Sequence, residues 1–366
     1  MEFYKLEKLQ VDNFRNLNSN VIDFSPTINC IFGENGNGKT NILEAIFFLC
    51  NKKSFRKNTS FPQILSVECE KSEILFNSVW LTDNEQKFSL SGKVSSESSV
   101  WNLNSRPIKS KPKIASVFIN PFDSYGFHTT ASFRRNWVDQ HLSLISKEYK
   151  DVLSRYVQSL KFRNQLLSKK PSSYLQQVEA IDDQLAYYSK IVTDLRMEFV
   201  DQLRPYCKMT FKIIFEQVHD LQLQLQSEFI GATQEEIRDY YRRNLQKDDI
   251  NGRTTYGIHL DDYMFLFDGF NSFEFCSLGQ QKMSYLSLIF AYIELFRYKF
   301  SSYPIVLIDD VSGELDSRRW KNLIEYLEAK NFQVIITTAN ENFKQELEKI
   351  KNSNKIYVDS GSIGNL

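Results

Sequence analysis

The spacing of apolar residues changes twice along the chain. Up to about residue 120 they fall in short runs and two-residue alternations. From about 130 they recur every three and four positions, and near 304 short unbroken runs return. Residues 4–32 alternate weakly and predict two strands joined by a turn through Asn13-Phe14-Arg15-Asn16. The second of these is Val21-Ile22-Asp23-Phe24, and a short buried strand follows at Thr27–Phe32. Asn41–Leu49 then predicts a helix. Residues 73–119 read as a β meander, with runs at Glu73–Leu81 and Lys87–Leu90 and turns at Thr82-Asp83-Asn84-Glu85 and Ser91-Gly92. A buried strand at Ile114–Ile119 ends at Pro121.

In the middle of the chain Val138, Leu142, Ile145, Tyr149, Val152 and Tyr156 form one helical stripe. Tyr174, Val178, Ile181, Leu185, Tyr188, Val192, Leu195 and Phe199 form another, and Pro171-Ser172-Ser173 separates them. The two stripes predict a pair of helices folded back as an antiparallel hairpin. Ordinary core-facing helix faces account for the same stripes, and neither calls for a cofactor. Residues 207–249 continue as mixed helix and strand. Tyr285–Tyr298 is the most apolar helix, but it carries Glu294 and Arg297 and is too short to cross a bilayer. The run Pro304–Asp310 suits a parallel strand buried on both faces, and Phe332–Thr338 reads as a last buried strand. No repeat or long linker interrupts the order. The expected division is residues 1–128, an inserted helical lobe at 129–250, and 251–366, where the first lobe's core resumes near Thr255.

Composition narrows the partners. With 366 residues and 42% hydrophobic content the chain can bury a sizeable core, in two lobes. Lys+Arg and Asp+Glu both number 45, so nucleic acid would have to be held by local basic patches. Candidates are Lys52, Lys53, Arg56 and Lys57 around Phe55, then Lys109, Lys111 and Lys113, then Arg242, Arg243 and Lys247. For the first cluster a cation-rich helix end is an equal alternative; for the others a solvated face is the default. The five cysteines (Cys30, Cys50, Cys69, Cys207, Cys276) form no C-x-x-C pair and suit a reducing cytoplasm. The N-terminal residues lack the apolar stretch of a signal peptide, and a membrane location is not expected.

The chemistry centres on Gly33-Glu34-Asn35-Gly36-Asn37-Gly38-Lys39-Thr40, which fits the phosphate-loop pattern G-x-x-x-x-G-K-[ST] between a predicted strand and a predicted helix. Its freed N–H groups can cradle phosphate oxygens at the helix's positive end. Lys39 can reach the outer phosphates, and Thr40 offers a hydroxyl to Mg²⁺. Residues 33–41, Asn41 included, are the expected ATP-binding stretch. A second half follows at Ile305-Val306-Leu307-Ile308-Asp309-Asp310, a buried strand ending in two carboxylates. Asp309 would hold Mg²⁺, directly or through water, and Asp310 would orient or deprotonate the attacking water. Lys39 and Asp309 lie 270 positions apart (309 − 39), more than small kinases and GTPases place between these motifs. Arg15 is by default a solvated turn residue, although its place upstream of the loop makes a role near the ligand an alternative.

Ser277-Leu278-Gly279-Gln280-Gln281 opens a helix shortly before the carboxylates and resembles the signature motif of the ABC ATPase superfamily. Ser277, Gly279 and Gln280 would then meet the γ-phosphate bound on the opposite protomer. Val311-Ser312-Gly313-Glu314-Leu315-Asp316 resembles the D-loop. Thr337 and Thr338 stand where transporter-type relatives place a switch histidine.

With Asn13–Asn16, Gly33–Ala45, Ser54-Phe55-Arg56, Phe133-Arg134-Arg135 to Asp139, Ser277–Gln281 and Asp309–Asp316, the whole chain resembles the RecF family of bacterial recombination-mediator ATPases. The resemblance implies an α/β fold: a P-loop ABC-type ATPase with a mixed or parallel sheet, built from both chain ends, plus an inserted helical lobe in the form of an antiparallel hairpin. It implies slow ATP hydrolysis, with Lys39, Asp310 and Ser277 as catalytic residues. It implies ATP-dependent homodimerisation on single- and double-stranded DNA at gapped junctions, and work with the RecO and RecR proteins in loading recombinase. The chain departs from the family at Phe122, usually a carboxylate, and Ser124, usually leucine. Ile258 and Leu260 replace a usual proline and arginine.

Three other functions are less consistent with the sequence. An SMC-like structural ATPase would need longer arms than the expected seven to nine turns at ~3.6 residues each. An ATP-gated nuclease would need more than the 50 residues (366 − 316) that follow Asp316. A module that binds ATP without hydrolysing it is the third; Asp310 stands where faster relatives carry a glutamate, and the shorter carboxylate predicts slow turnover instead.

Overall fold

The computed structural model describes residues 4–56, 58–67, 72–82, 84–110, 112–120, 122–310, 315–330 and 332–364. Lys57, Cys69, Asp83, Lys111, Pro121 and the D-loop segment Val311–Glu314 lie outside them. In chain order the N-terminal elements are β1 (Tyr4–Asp12), β2 (Ile22–Asp23), β3 (Ile28–Phe32), α1 (Lys39–Asn51), the single turn α2 (Phe61–Ile64), β4 (Glu73–Thr82), β5 (Lys87–Ser95), β6 (Ser99–Leu103), β7 (Arg106–Ile108) and β8 (Ser116–Ile119). The middle holds α3 (Asp123–Thr129), α4 (Ala131–Ile145), α5 (Lys147–Lys169), α6 (Tyr174–Phe215), β9 (Leu221–Gln226), α7 (Gln234–Asn251), a 3₁₀ turn at Ile258–Leu260, β10 (Asp262–Phe267), β11 (Phe270–Asn271), α8 (Ser272–Phe275) and α9 (Leu278–Phe300). The chain ends with β12 (Ile305–Asp309), α10 (Ser317–Glu328), β13 (Val334–Thr338), α11 (Glu341–Glu348), β14 (Ser353–Asp359) and β15 (Ser362–Gly364).

The chain packs as two compact units. The first holds residues 1–123, 213–216 and 296–366, and the second 124–212 and 217–295. In the first unit β2-β1-β4-β5-β6-β7 form an antiparallel sheet, and β15-β14-β3-β13-β12-β8 form a second sheet, parallel except for β15. Residues 42–50 of α1 are all buried, as expected of a helix apolar on every side. Both sheets close on it, with Leu9, Trp80 and Trp101 from one and Ile31, Leu307 and Ile335 from the other in a single core. The meander holds for β4–β7, but β8 leaves it and pairs in parallel with β12. Ser91 and Gly92 do not turn the chain; they stay inside β5 opposite Asn77 and Phe76.

The second unit corrects the expected boundaries. Its sheet is β11-β10-β9, and Asp262–Phe267 pairs residue for residue with Gln226–Leu221. Residues 251–295 therefore group with the middle of the chain rather than with the loop-bearing lobe, and Ser277 lies in the second unit. The helical hairpin is present, turning between Lys170 and Tyr174. Its first arm is interrupted at Ser146, whose extended backbone ends α4 and whose hydroxyl accepts the Tyr149 N–H to cap α5. The apolar step of three and four persists across that break, which is why the pattern alone shows one helix. Its second arm, α6, runs 42 residues, longer than expected. Arg163 ties the arms together, donating to Asp182 at 2.6 Å and to Asp248 of α7 at 2.6 Å. Among the described residues Cys30, Cys50, Cys207 and Cys276 form no disulfide, and burial pushes the Cys30 thiol up to about 12.

Candidate nucleotide site

The phosphate loop leaves β3 and turns into α1 at Gly38, which adopts a left-handed conformation (φ 107°) as the helix's N-terminal cap. β3 lies between β14 and β13, so the loop projects from the carboxyl ends of the parallel strands, where open α/β sheets bind ligands. Lys39 is buried, and its ammonium donates to the carbonyls of Gly33 (2.7 Å) and Glu34 (2.8 Å). Burial lowers its pKa, while the charges of Asp310 and Asp309 pull it back up. A cation hydrogen-bonded to loop carbonyls is set to exchange them for an anion.

Asp309 ends β12 beside the loop. Thr40 donates its hydroxyl to both Asp309 oxygens, at 2.9 and 3.1 Å. Thr337, at the end of the neighbouring β13, donates to Asp309 Oδ1 at 2.8 Å and accepts the Asp310 N–H at 3.2 Å. Burial raises the Asp309 pKa; the Thr337 and Thr40 hydroxyls oppose the rise, and Asp310 adds to it. The Thr40 hydroxyl and the Asp309 carboxylate are adjacent hard oxygen donors, which fits a divalent cation completed by phosphate and water. No cluster of three metal-ligating side chains occurs among the described residues. Asp310 follows at φ 40°, in the left-handed region.

A polar network behind the loop was not legible in the motifs. Glu44, on α1, is wholly buried and receives Arg15 (2.8 and 3.1 Å), Arg56 (3.2 Å) and the Ser54 hydroxyl (2.5 Å). Arg15 is thus a structural partner of Glu44 rather than a solvated residue. A lone carboxylate inside the apolar run Ile42–Leu49 was the available signal, because a charge buried there demands partners. Asn41 donates to Asn16 (2.6 Å) and accepts from Arg56 (2.6 Å), and Asn16 donates to the Gly36 carbonyl (3.2 Å).

The other expected residues fare differently. Ser277 and Gln280 form a reciprocal cap at the start of α9, Ser277 N–H to Gln280 Oε1 at 2.9 Å and Gln280 N–H to Ser277 Oγ at 3.3 Å. Leu278 and Gly279 are exposed beside them. Asp316 caps α10 by accepting the Arg319 N–H. Phe122 is exposed and Ser124 buried. Ile258 is buried and Leu260 exposed; the Ile258 carbonyl accepts from Arg196. Arg134 binds Asp262 through two bonds of 2.8 Å, and Asp139 accepts from Arg196. Of the basic candidates, Arg56 is drawn to Glu44, Lys52 lies 5.1 Å over the Trp101 ring, Arg242 pairs with Glu179 and Lys247 donates to Tyr256. Lys109 and Lys113 are exposed.

Residues 5–360 match the family model of the RecF/RecN/SMC N-terminal domain. The DNA replication and repair protein RecF of Latilactobacillus sakei is 31% identical over 356 positions, spanning 93% of this chain and 94% of the relative. The chain belongs to the RecF family. The RecF of Lactobacillus johnsonii is 28% identical across 98% of both chains. In fold, the chain is similar to a solved complex of the recombination mediator RecF with ATP (TM-score 0.86, 24% identity, 99% of this chain and 98% of that one). It also shares a fold, more distantly, with the Smc head domain of Pyrococcus furiosus (TM-score 0.57, 15% identity, 99% and 96%).

Proposed function

We propose that this RecF-family ATPase is an ATP-driven clamp on DNA that serves replication and recombinational repair. The observation that carries the reading is the junction of Thr40 with Asp309 at 2.9 Å beside a buried Lys39. ATP enters with its phosphates on the loop, and the Lys39 ammonium trades the Gly33 and Glu34 carbonyls for phosphate oxygens. Thr40 and Asp309 are the residues that would hold Mg²⁺, which supplies neutralisation of the triphosphate charge when bound. Asp310, one residue beyond, positions the attacking water and takes its proton. The Ser277–Gly279 tip of α9 from a second copy completes the pocket, so that ATP joins two copies.

The DNA is a duplex beside a single-stranded gap, the task is the loading of recombinase there, and the partners are RecO and RecR. The relatives named for DNA replication and repair support work of that kind, and the solved complex of a recombination mediator RecF with ATP, from a RecFOR pathway, supports the choice of task and partners. The place of work is the cytoplasm; no helix among the described residues is long and apolar enough to cross a membrane. The test is sedimentation of the full chain with and without Mg-ATP. The wild type is expected to shift to a dimer, and Lys39→Ala to stay monomeric. A wild type that remains monomeric at saturating Mg-ATP overturns the reading.

A further inference from the structure

The phosphate loop is held by a part of the chain more than 300 positions away. β14 runs parallel to β3 up to the pair Tyr357–Phe32, and then turns into β15 through Ser360 and Gly361. Both turn residues have positive φ, 50° and 80°, as a two-residue hairpin turn of this hand requires. The tip of that hairpin lies on the loop. The Gly361 N–H donates to the Asn37 carbonyl at 2.9 Å. The Asn37 side chain returns the contact, donating to the Val358 carbonyl at 3.2 Å and to Asp359 Oδ1 at 3.3 Å. On its other side the tip meets the turn after β1: the Asn18 N–H donates to the Gly361 carbonyl (3.0 Å) and its amide to the Ser362 hydroxyl (2.6 Å).

Two glycines record how close this packing is. A Cβ on Gly33 would stand 2.3 Å from the Val358 carbonyl oxygen, and one on Gly361 would stand 1.7 Å from the Asn16 carbonyl oxygen. Asn16 is also the residue whose side chain holds the Gly36 carbonyl and the Asn41 amide. Displacing either the hairpin or the Asn16 segment therefore moves loop residues 36 and 37. Residues 36 and 37 are part of the turn that shapes the loop, with the Asn37 N–H donating to the Glu34 carbonyl at 3.3 Å, and small misplacements of phosphate-holding groups are costly.

We infer that the hairpin tip, residues 358–362, is a positioning element for the nucleotide: it holds the phosphate loop open in its binding form, and ATP affinity depends on it. This rests on the reading of the loop as an ATP site. The coupling is reciprocal, so nucleotide on the loop must in turn steady the hairpin.

The experiment titrates full-length wild type, Gly361→Ala and Asp359→Ala with fluorescent methylanthraniloyl-ATP and Mg²⁺, beside thermal unfolding and steady-state ATP hydrolysis. Gly361→Ala is expected to weaken binding about tenfold or more and to raise KM with little change in kcat. Asp359→Ala, which loses one bond to the loop and the Ser360 hydroxyl bond beside it, is expected to weaken it about twofold to threefold. Hydrogen exchange on the wild type supplies a second measurement that needs no variant: the amides of Gly361 and Asn18 are expected to exchange more slowly with nucleotide bound. A folded Gly361→Ala with wild-type affinity, or wild-type hairpin amides indifferent to bound nucleotide, overturns the inference. Absence of nucleotide binding by the wild type would remove the ATP-site reading and the inference with it; binding with an indifferent hairpin removes the inference alone.

Discussion

Asp310 shows how backbone geometry selects a side chain. At φ 40° it occupies a conformation that Asp and Asn enter several times more readily than other residues bearing a Cβ. An aspartate is thus the carboxylate that this strand end accepts most easily. Asp310→Asn should keep the backbone and the fold, retain ATP binding, and slow single-turnover hydrolysis by about 10²-fold or more; unchanged turnover would remove Asp310 from the chemistry. Glu44 makes the complementary case. Its carboxylate is fully buried, and Arg15 and Arg56 converge on it. Glu44→Ala would leave Arg15, which is largely buried, facing an empty space, and should cost on the order of 3 kcal/mol in urea unfolding. Glu44→Gln, which keeps an acceptor, should cost less. Lys39, Thr40 and Asp309 were legible in the sequence because the motif ties residue type to spacing. The Arg15–Glu44 pair was not, because 29 positions and a helix–turn contact stand between the partners.

At the scale of elements, the start of α9 depends on a neutral histidine. His128, on α3, is buried and bonded on both nitrogens, Nε2 to the Gln281 carbonyl (3.0 Å) and Nδ1 to the Ser272 hydroxyl (2.9 Å). The carbonyl requires an N–H at Nε2, which leaves Nδ1 to accept from the serine. Burial lowers the His128 pKa to about 4, as it does for His141 and His259 in the same unit. A depressed histidine pKa means that the unfolded chain takes up protons that the folded one refuses. The contribution is therefore fully present above the unfolded value of about 6.5 and is lost as pH falls from there towards about 4. Urea unfolding should show stability dropping over that window by up to roughly 1.4 kcal/mol per pH unit for each such histidine. The slope should be shallower in His128→Gln. Strands β3 and β12 and helix α9 could be read from sequence, since unbroken apolar runs and a motif marked them. The move of β8 into the parallel sheet could not, because a buried strand carries no mark of its neighbour. The grouping of β10 with β9 is likewise a pairing fact, invisible to periodicity.

For the molecule as a whole, the remaining question is what the second unit offers to a second copy. The segment from Phe270 to Leu278 exposes Phe270, Phe273, Phe275 and Leu278, each more than half accessible, and ends at the Ser277 cap. The Phe270 and Phe275 rings lie against each other, with centroids 5.4 Å apart, and so form an exposed apolar pair. Such a surface is costly in water and is expected to be covered in a working state. In the proposed ATP-bound pair it borders the nucleotide that the partner copy carries. Burying a Phe or Leu side chain contributes about 1.5–3 kcal/mol, and about 1.4 kcal/mol is a factor of ten in an equilibrium constant. Phe275→Ser with Leu278→Ser should therefore weaken Mg-ATP-dependent dimerisation at least tenfold in sedimentation. Nucleotide affinity of the monomer should stay as in the wild type, because neither residue belongs to the Lys39, Thr40 and Asp309 site, and thermal unfolding should be unchanged, because these side chains are exposed. A double variant that dimerises like the wild type would mean that the patch faces something other than a second copy, whereas one that loses ATP binding as well would mean that the surface shapes the monomer.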